Sequence, residues 1–259
     1  MTTAAADTIR VRVDDGIATI TLDRPPLNVL TTAMLDEIDV ALRDLGDTPG
    51  LRLIVLRGAG RVLSAGVDVG EHIGETRGPL LDAFARVALR LMACDVPTLA
   101  VIHGAALGGA CELVALCDLA IAADDATLGT PEITLGVVPP VAAALFPARI
   151  GEQRSRALVL TGDPVSGAQA AAWGLVWKSV PAGGLEAEVA ATEGRFRSLS
   201  ASSLRLAKRS FRVAGRAGSP AEAILAADAE QRRSVPDLRD AEEGLRAFLE
   251  KRPPRWEHR

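Results

Sequence analysis

The clearest chemical signal in this chain is a glycine pair followed three residues later by a glutamate. Gly108 and Gly109 precede an apolar run that predicts a helix, and Glu112 falls in its first turn. Glycine lets a ligand approach the backbone closely, and the first N–H groups of a helix are unpaired and partly positive. A developing oxyanion would be stabilised there, with Glu112 on the same side as a candidate acid or base. The alternative is that Glu112 only complements the helix dipole.

The composition argues against several other classes of function. The 259 residues carry a net charge of −4, and they include five Phe, three Trp and no Tyr. Without a long basic run or aromatic stacking residues, we expect no nucleic-acid partner. We also expect no membrane association and no secretory signal, hence a cytoplasmic protein, because no uncharged apolar segment is long enough to span a bilayer. Cys94, Cys111 and Cys117 lack metal or disulfide spacing, so we expect free thiols and no metal site.

Hydrophobic patterning predicts the elements that must position these residues. Strands are predicted at 9–13, 17–22, 53–57, 97–102 and 119–123, the first two joined by a hairpin turn. Helices are predicted from Thr31 or Thr32 to about residue 44, over 80–93, and through most of the chain from Ser155, including 219–230 and 237–249. This alternation of buried strands and helices predicts an α/β layered fold.

Several segments together resemble the crotonase (enoyl-CoA hydratase/isomerase) superfamily over nearly the full length. They are 17–28 (IATITLDRPPLN), 63–68 (LSAGVD), 103–112 (HGAALGGACE), 131–136 (PEITLG), 161–162 (TG), 168–176 (AQAAAWGLV) and 248–254 (FLEKRPP). Each segment alone is weak, whereas their order and spacing together are specific.

The resemblance implies a spiral of ββα units with a C-terminal helical region. It divides the chain into a core for acyl-CoA binding and catalysis, residues 1–195, and a helical region, residues 196–259, that serves oligomerisation and covers the pocket. It further implies a homotrimer or a dimer of trimers that binds acyl-CoA thioesters. Coenzyme A enters as part of the substrate, so no separate cofactor is expected.

The same resemblance assigns roles to individual residues. Glu112 and Glu132 align with the two catalytic glutamates of the hydratases, and the backbone N–H groups of Val67 and Gly109 align with the oxyanion hole. From its own sequence context alone, Glu132 could equally be a polar end to a strand or loop. Contacts to substrate or coenzyme A are implied for the motif positions Leu27, Leu63, Ala65, Asp68, Val69, Gly108, Pro131 and Gly136.

Other polar and cysteine residues near these motifs allow a structural interpretation beside a functional one. Asp68 could instead cap a helix, and His103 is interpreted as a packed, hydrogen-bonded side chain and Cys111 as a small core residue. Lys208 and Arg209 could meet the phosphates of coenzyme A or could lie on a solvated helix face.

The functional hypothesis is an enoyl-CoA hydratase, because both glutamates are present to handle the two protons of water addition. Residues 136–145 (GVVPPVAAAL) depart from the common hydratase pattern and resemble the cyclohexa-1,5-diene-1-carbonyl-CoA hydratase group. We interpret Pro139 and Pro140 as stiffening a loop beside the acyl pocket. Four alternatives remain: a hydratase of the cyclohexa-1,5-diene-1-carbonyl-CoA group, an enoyl-CoA isomerase, a thioester hydrolase, and a protein that binds coenzyme A without turnover.

Overall fold

A computed structural model describes residues 8–259, and it confirms a mixed α/β architecture. The strands are β1 (Ile9–Asp14), β2 (Ile17–Leu22), β3 (Leu53–Gly58), β4 (Thr98–Ile102), β5 (Ala105–Leu107), β6 (Leu119–Ala123), β7 (Thr127–Gly129), β8 (Val165–Ser166) and β9 (Lys178–Val180). The helices are α1 (Thr32–Gly46), α2 (Arg77–Ala93), α3 (Gly109–Leu116), α4 (Pro140–Ile150), α5 (Glu152–Thr161), α6 (Gly167–Trp173), α7 (Leu185–Arg197), α8 (Ala201–Ala214), α9 (Pro220–Ser234) and α10 (Arg239–Leu249). Over residues 8–259, none of these helices is long and apolar enough to cross a bilayer.

The larger sheet has six strands in the order β1-β2-β3-β4-β6-β9. The predicted hairpin of β1 and β2 is confirmed, with Asp14 opposite Ile17 and a two-residue turn at Asp15 and Gly16. Both turn residues have positive φ, as this tight type of hairpin requires. The remaining pairs are parallel, and β4 is buried along its whole length, as expected for a strand covered on both faces.

A second sheet of three short strands, in the order β5-β7-β8, was not predicted from the hydrophobic patterning. Strands β5 and β7 are parallel, and their last residues, Leu107 and Gly129, are paired in register. Strand β8 joins β7 in the antiparallel direction. Since α3 begins two residues after β5, and a short 3₁₀ helix (Pro131–Leu135) begins two residues after β7, this sheet holds two functional segments side by side.

Helix boundaries are confirmed at some positions and corrected at others. Thr31 caps α1 by accepting from the Met34 N–H, and Ser219 caps α9 by accepting from the Glu222 N–H. Helix α2 begins at Arg77, before the predicted start. The mainly helical part of the chain begins earlier than Ser155 and is interrupted by β8 and β9.

The interpretation of Pro139 and Pro140 as a stiffened loop was wrong for Pro140. This residue is the first of helix α4, a position where the missing N–H of proline costs no hydrogen bond. The start of α4 lies against α3, where the N–H of Ala142 donates to Glu112.

Candidate active site

A cavity of about 330 Å³ lies between α2, α3, the loop after β3 and the segment after β7. Its wall is mostly apolar, and two carboxyl groups, Glu112 and Glu132, face into it. The lining residues are Ala65, Gly66, Val67, Val69, His72, Ile73, Leu80, Leu81, Phe84, Gly108, Gly109, Glu112, Pro131, Glu132, Leu135, Val137, Val138 and Pro140. An apolar pocket with a few convergent polar groups is the usual form of a small-molecule site.

Glu112 lies in the first turn of α3 and is 3% exposed. Its Oε1 accepts a 2.8 Å hydrogen bond from the N–H of Ala142 in the first turn of α4. Burial raises the pKa of Glu112 to about 7, with a smaller upward contribution from the charge of Glu132, while N–H donors of Ala142 and Val141 oppose the rise. A carboxylate base with a pKa near neutrality is suited to general acid–base catalysis.

Glu132 lies in the 3₁₀ helix that follows β7. Burial raises the pKa of this carboxyl group, and the nearby charge of His72 acts in the opposite direction. Its Oε2 is buried and accepts no hydrogen bond from any group in residues 8–259. An unpartnered buried carboxyl oxygen favours the protonated form, which can donate a proton.

The glycine pair is required by close packing at this point. Gly108 has a φ of 55°, and a Cβ there would lie 2.8 Å from Oε1 of Glu132. A Cβ on Gly109 would lie 2.4 Å from Cγ2 of Val67 and 2.9 Å from Cε2 of Phe84. Any larger residue would therefore displace either the carboxyl group or the wall of the cavity.

Two backbone N–H groups that line the cavity have no partner within residues 8–259. Gly109 is the first residue of α3, so its N–H receives no partner from the helix itself. Val67 lies opposite Leu30, which bonds to the residues on either side of it, namely Gly66 and Asp68. In this parallel bridge the N–H of Val67 points away from Leu30. The two residues are neighbours across the cavity wall, since a Cβ on Gly109 would overlap the Val67 side chain.

The eight residues for which substrate contacts were predicted divide into two groups. Those lining the cavity are Ala65, Val69, Gly108 and Pro131. Those outside the lining are Leu27, Leu63, Asp68 and Gly136. Leu63 is buried in the hydrophobic core, and Gly136 ends the 3₁₀ helix after β7 in the left-handed conformation.

Asp68 and Leu27 instead hold the loop after β3 in place. The Oδ1 atom of Asp68 accepts hydrogen bonds of 2.8 Å and 3.2 Å from the N–H groups of Gly70 and Glu71. This is the capping role considered as the alternative for Asp68. The carbonyl oxygen of Leu27 accepts a 2.9 Å hydrogen bond from the N–H of Ala65.

Lys208 and Arg209 lie on α8, and both are paired with carboxylates. Lys208 Nζ is 2.6 Å from Oδ2 of Asp118, and Arg209 pairs with Asp95 and Glu230. The interpretation as a solvated helix face was wrong for Lys208, whose side chain is 12% exposed, whereas a contact with the phosphates of coenzyme A stays a prediction.

His103 and Cys111 occupy the structural positions expected for them. His103 Nε2 lies 3.1 Å from the carbonyl oxygen of Gly60, and Cys111 is fully buried.

Sequence reasoning missed two residues that shape the site. Asn28 is buried, and its Nδ2 donates to the carbonyl oxygens of Ala59, Val62 and Leu63, which fixes the entry to the loop after β3. His72 lines the cavity beside the two carboxyl groups. No local pattern in the sequence marks His72 as a residue of the site.

The chain is similar to known proteins along almost its whole length. The family model described as enoyl-CoA hydratase/isomerase matches residues 12–259. The chain is 38% identical to a probable enoyl-CoA hydratase of Mycobacterium tuberculosis, covering 98% of this chain and 99% of that one. It is 34% identical to the cyclohexa-1,5-dienecarbonyl-CoA hydratase of Thauera aromatica, over 95% of both chains.

The structure also resembles solved structures along its whole length. A crystal structure of enoyl-CoA hydratase from Mycobacterium smegmatis superposes with a TM-score of 0.90 at 29% identity, covering 96% of this chain and 98% of that one. The family model, the full-length relatives and the shared fold lead to one conclusion: the chain belongs to the enoyl-CoA hydratase/isomerase family, within the crotonase superfamily.

Proposed function

We propose that this protein is an enoyl-CoA hydratase, a hydro-lyase that adds water across the conjugated double bond of an acyl-CoA thioester. The observation that carries the proposal is the convergence of buried Glu112, half-buried Glu132 and two unpaired N–H groups on one apolar cavity. The matching family and the names of its full-length relatives support the same reaction.

In the proposed mechanism the N–H groups of Val67 and Gly109 bind the thioester oxygen. Glu112 takes a proton from water as the water oxygen bonds to the β-carbon. The electron pair of the double bond moves to the α-carbon and the carbonyl oxygen, and the two N–H donors stabilise this enolate. Glu132 then gives its proton to the α-carbon, and proton exchange with solvent restores both carboxyl groups.

The division of roles between the glutamates follows from their surroundings. Glu112 sits at the start of α4, where the N–H of Ala142 and the helix dipole favour a carboxylate. Glu132 has a buried oxygen without a donor, which favours the protonated acid.

A cyclic diene thioester is the second candidate substrate. The chain shares 34% identity with the Thauera aromatica hydratase, and Val137, Val138 and Pro140 of the segment that resembles that group line the cavity. Incubation of the purified protein with crotonyl-CoA and with cyclohexa-1,5-diene-1-carbonyl-CoA, followed by mass spectrometry, separates the two substrates by which one gains a water.

The roles of the carboxyl groups are tested by Glu112→Gln and Glu132→Gln. Each variant is expected to lower kcat by about 10²- to 10⁴-fold, because each removes one proton-transfer group. Binding of a CoA product analogue should persist in both. Retention of wild-type rates would refute the assignment, and α-carbon proton exchange without hydration would favour an isomerase instead.

A further inference from the structure

His72 shares the cavity with both glutamates but has no part in the mechanism above. It ends the 3₁₀ helix Gly70–His72, and its Nδ1 lies 2.9 Å from the carbonyl oxygen of Asp68. A carbonyl oxygen can only accept, so Nδ1 must carry the proton. The neutral ring then has its lone pair on Nε2, which is the nitrogen left free for the site.

The carboxyl groups on the same segment as His72 either accept hydrogen bonds from other groups or lie exposed. The Oδ1 atom of Asp68 accepts from the N–H groups that begin this 3₁₀ helix. Glu71 accepts from the N–H and the hydroxyl group of Thr32. Glu75, on the next turn, is exposed.

The elements packed against this segment leave one free carboxyl group. Helix α2 contributes only apolar side chains to the cavity, including Leu80 and Phe84. The carboxyl group of Glu112 on α3 accepts from the N–H of Ala142. Of the two glutamates that line the cavity, only Glu132 has a buried carboxyl oxygen with no donor in residues 8–259, and a positive charge on His72 lowers its pKa.

We propose that His72 is a positioning residue whose imidazole ring, held by the Asp68 carbonyl group, controls whether Glu132 carries a proton. The inference rests on the proposed hydratase function for its catalytic meaning. A protonated ring lowers the pKa of Glu132, against the effect of burial.

The first test compares the pH dependence of kcat/KM for hydration by wild type, His72→Asn and His72→Phe. The amide nitrogen of Asn can replace Nδ1 in donating to Asp68, so His72→Asn keeps the loop contact and removes the second ring nitrogen. Without the ring charge, Glu132 keeps its proton to higher pH. The alkaline limb of His72→Asn should therefore move upward by about 0.5 to 1 pH unit, with little change in KM.

A structural role for His72 gives a different result. In that case His72→Asn would reproduce the wild-type profile, and only His72→Phe, which loses the contact to Asp68, would be impaired. That outcome would overturn the proposal.

The second test needs no turnover. In protein labelled with ¹³C at the glutamate carboxyl groups, the Glu132 signal is identified by its absence from Glu132→Gln. Its titration midpoint should lie higher in His72→Asn than in wild type.

Histidine ¹⁵N shifts give the tautomer directly. His72 should carry its proton on Nδ1. His103 and His258 should carry theirs on Nε2, because His103 Nε2 faces the Gly60 carbonyl group and His258 Nδ1 accepts from the Ala201 N–H.

An Nε2–H tautomer at His72, or an unchanged Glu132 midpoint, would overturn the inference. Failure of the wild type to hydrate any enoyl-CoA would overturn the proposed function. The Glu132 titration midpoint and the His72 tautomer need no turnover, so they would still decide the inference about His72.

Discussion

Glu112 is held between two opposing physical effects. Its removal from water disfavours the charged form, whereas the start of α4 offers it an N–H donor and a positive helix end. Burial dominates, which raises the pKa of the carboxyl group to about 7. A base at this position can be ionised at neutral pH and still have affinity for a proton from water.

This shift makes Glu112 a source of instability at alkaline pH. Its pKa is about 7 in the folded protein and 4.5 by default in the unfolded chain, so its stabilising contribution is complete below pH 4.5 and lost as pH rises through 7. We expect Glu112→Gln to be more stable than wild type at pH 8, by at most about 3 kcal/mol, and to show little gain at pH 5. Urea unfolding at both pH values measures this, with Glu152→Gln on exposed α5 as the control. An equal difference at both pH values would contradict the assignment.

The glycine at the start of α3 gives a prediction about geometry. Gly109→Ala should lower kcat/KM by about 10- to 100-fold, because the new methyl group pushes Val67 and Phe84 away and moves an N–H donor. Gly194→Ala in α7, where a Cβ meets nothing within 4 Å, is the matched control. It should retain full activity and gain up to about 1 kcal/mol in stability. Unchanged kinetics in Gly109→Ala would show that the N–H of this residue is not critically placed.

At the scale of elements, the longer helices and strands were predictable from the sequence and the shortest strands were not. The β1–β2 hairpin and the Thr31 cap follow from local turn and capping chemistry. Strands β5, β7 and β8 have only two or three residues, too few for an alternating pattern, and they exist because they pair with one another.

The same limit applies to the site. Residue patterns placed Glu112 beside a helix start, but nothing local distinguished a catalytic Glu132 from a structural one, and that distinction came from the family resemblance. His72 could not be predicted, since its orientation depends on a backbone carbonyl oxygen and its proximity to Glu132 on tertiary packing.

Helix α8 is tied to the sheet by an ion pair whose lysine is largely buried. Lys208 Nζ donates to the Val96 carbonyl oxygen and to Asp118, whose carboxylate also accepts from the N–H and the hydroxyl group of Thr98. Removing the ammonium group leaves the carbonyl oxygen of buried Val96 without its charged donor.

We therefore expect Lys208→Met to lower the free energy of unfolding by about 1 to 3 kcal/mol. Arg232→Met, which breaks an exposed pair with Asp228 on α9, should change it by less than about 0.5 kcal/mol. Chemical denaturation of both variants tests the contrast. Similar losses in the two would indicate that burial of the α8 pair does not matter.

At the scale of the whole molecule, the C-terminal helices expose large apolar side chains. Phe211, Leu245, Phe248 and Leu249 are each more than two-thirds exposed in the single chain. Large exposed apolar side chains on neighbouring helices commonly mark a surface that another chain covers.

These side chains support the proposal of a homotrimer or a dimer of trimers. Light scattering after size-exclusion chromatography should give the mass of three or six chains of 27.0 kDa. Phe248→Glu is expected to shift the population to smaller species, because a charge would be buried against an apolar partner surface. Leu160→Glu on α5 tests whether any added surface charge has this effect. A monomeric wild type would refute the proposal.

The pairing of Leu107 with Gly129 has an evolutionary consequence. The groups proposed to do the chemistry follow two strands joined by main-chain hydrogen bonds, so their spacing does not depend on which side chains surround them. Leu135, Val137 and Val138, by contrast, are apolar residues of the cavity wall outside these two strands. Point substitutions in that wall can change the range of accepted acyl groups while the reaction itself persists. A fold built this way allows related enzymes to diverge in substrate range while they keep the same reaction.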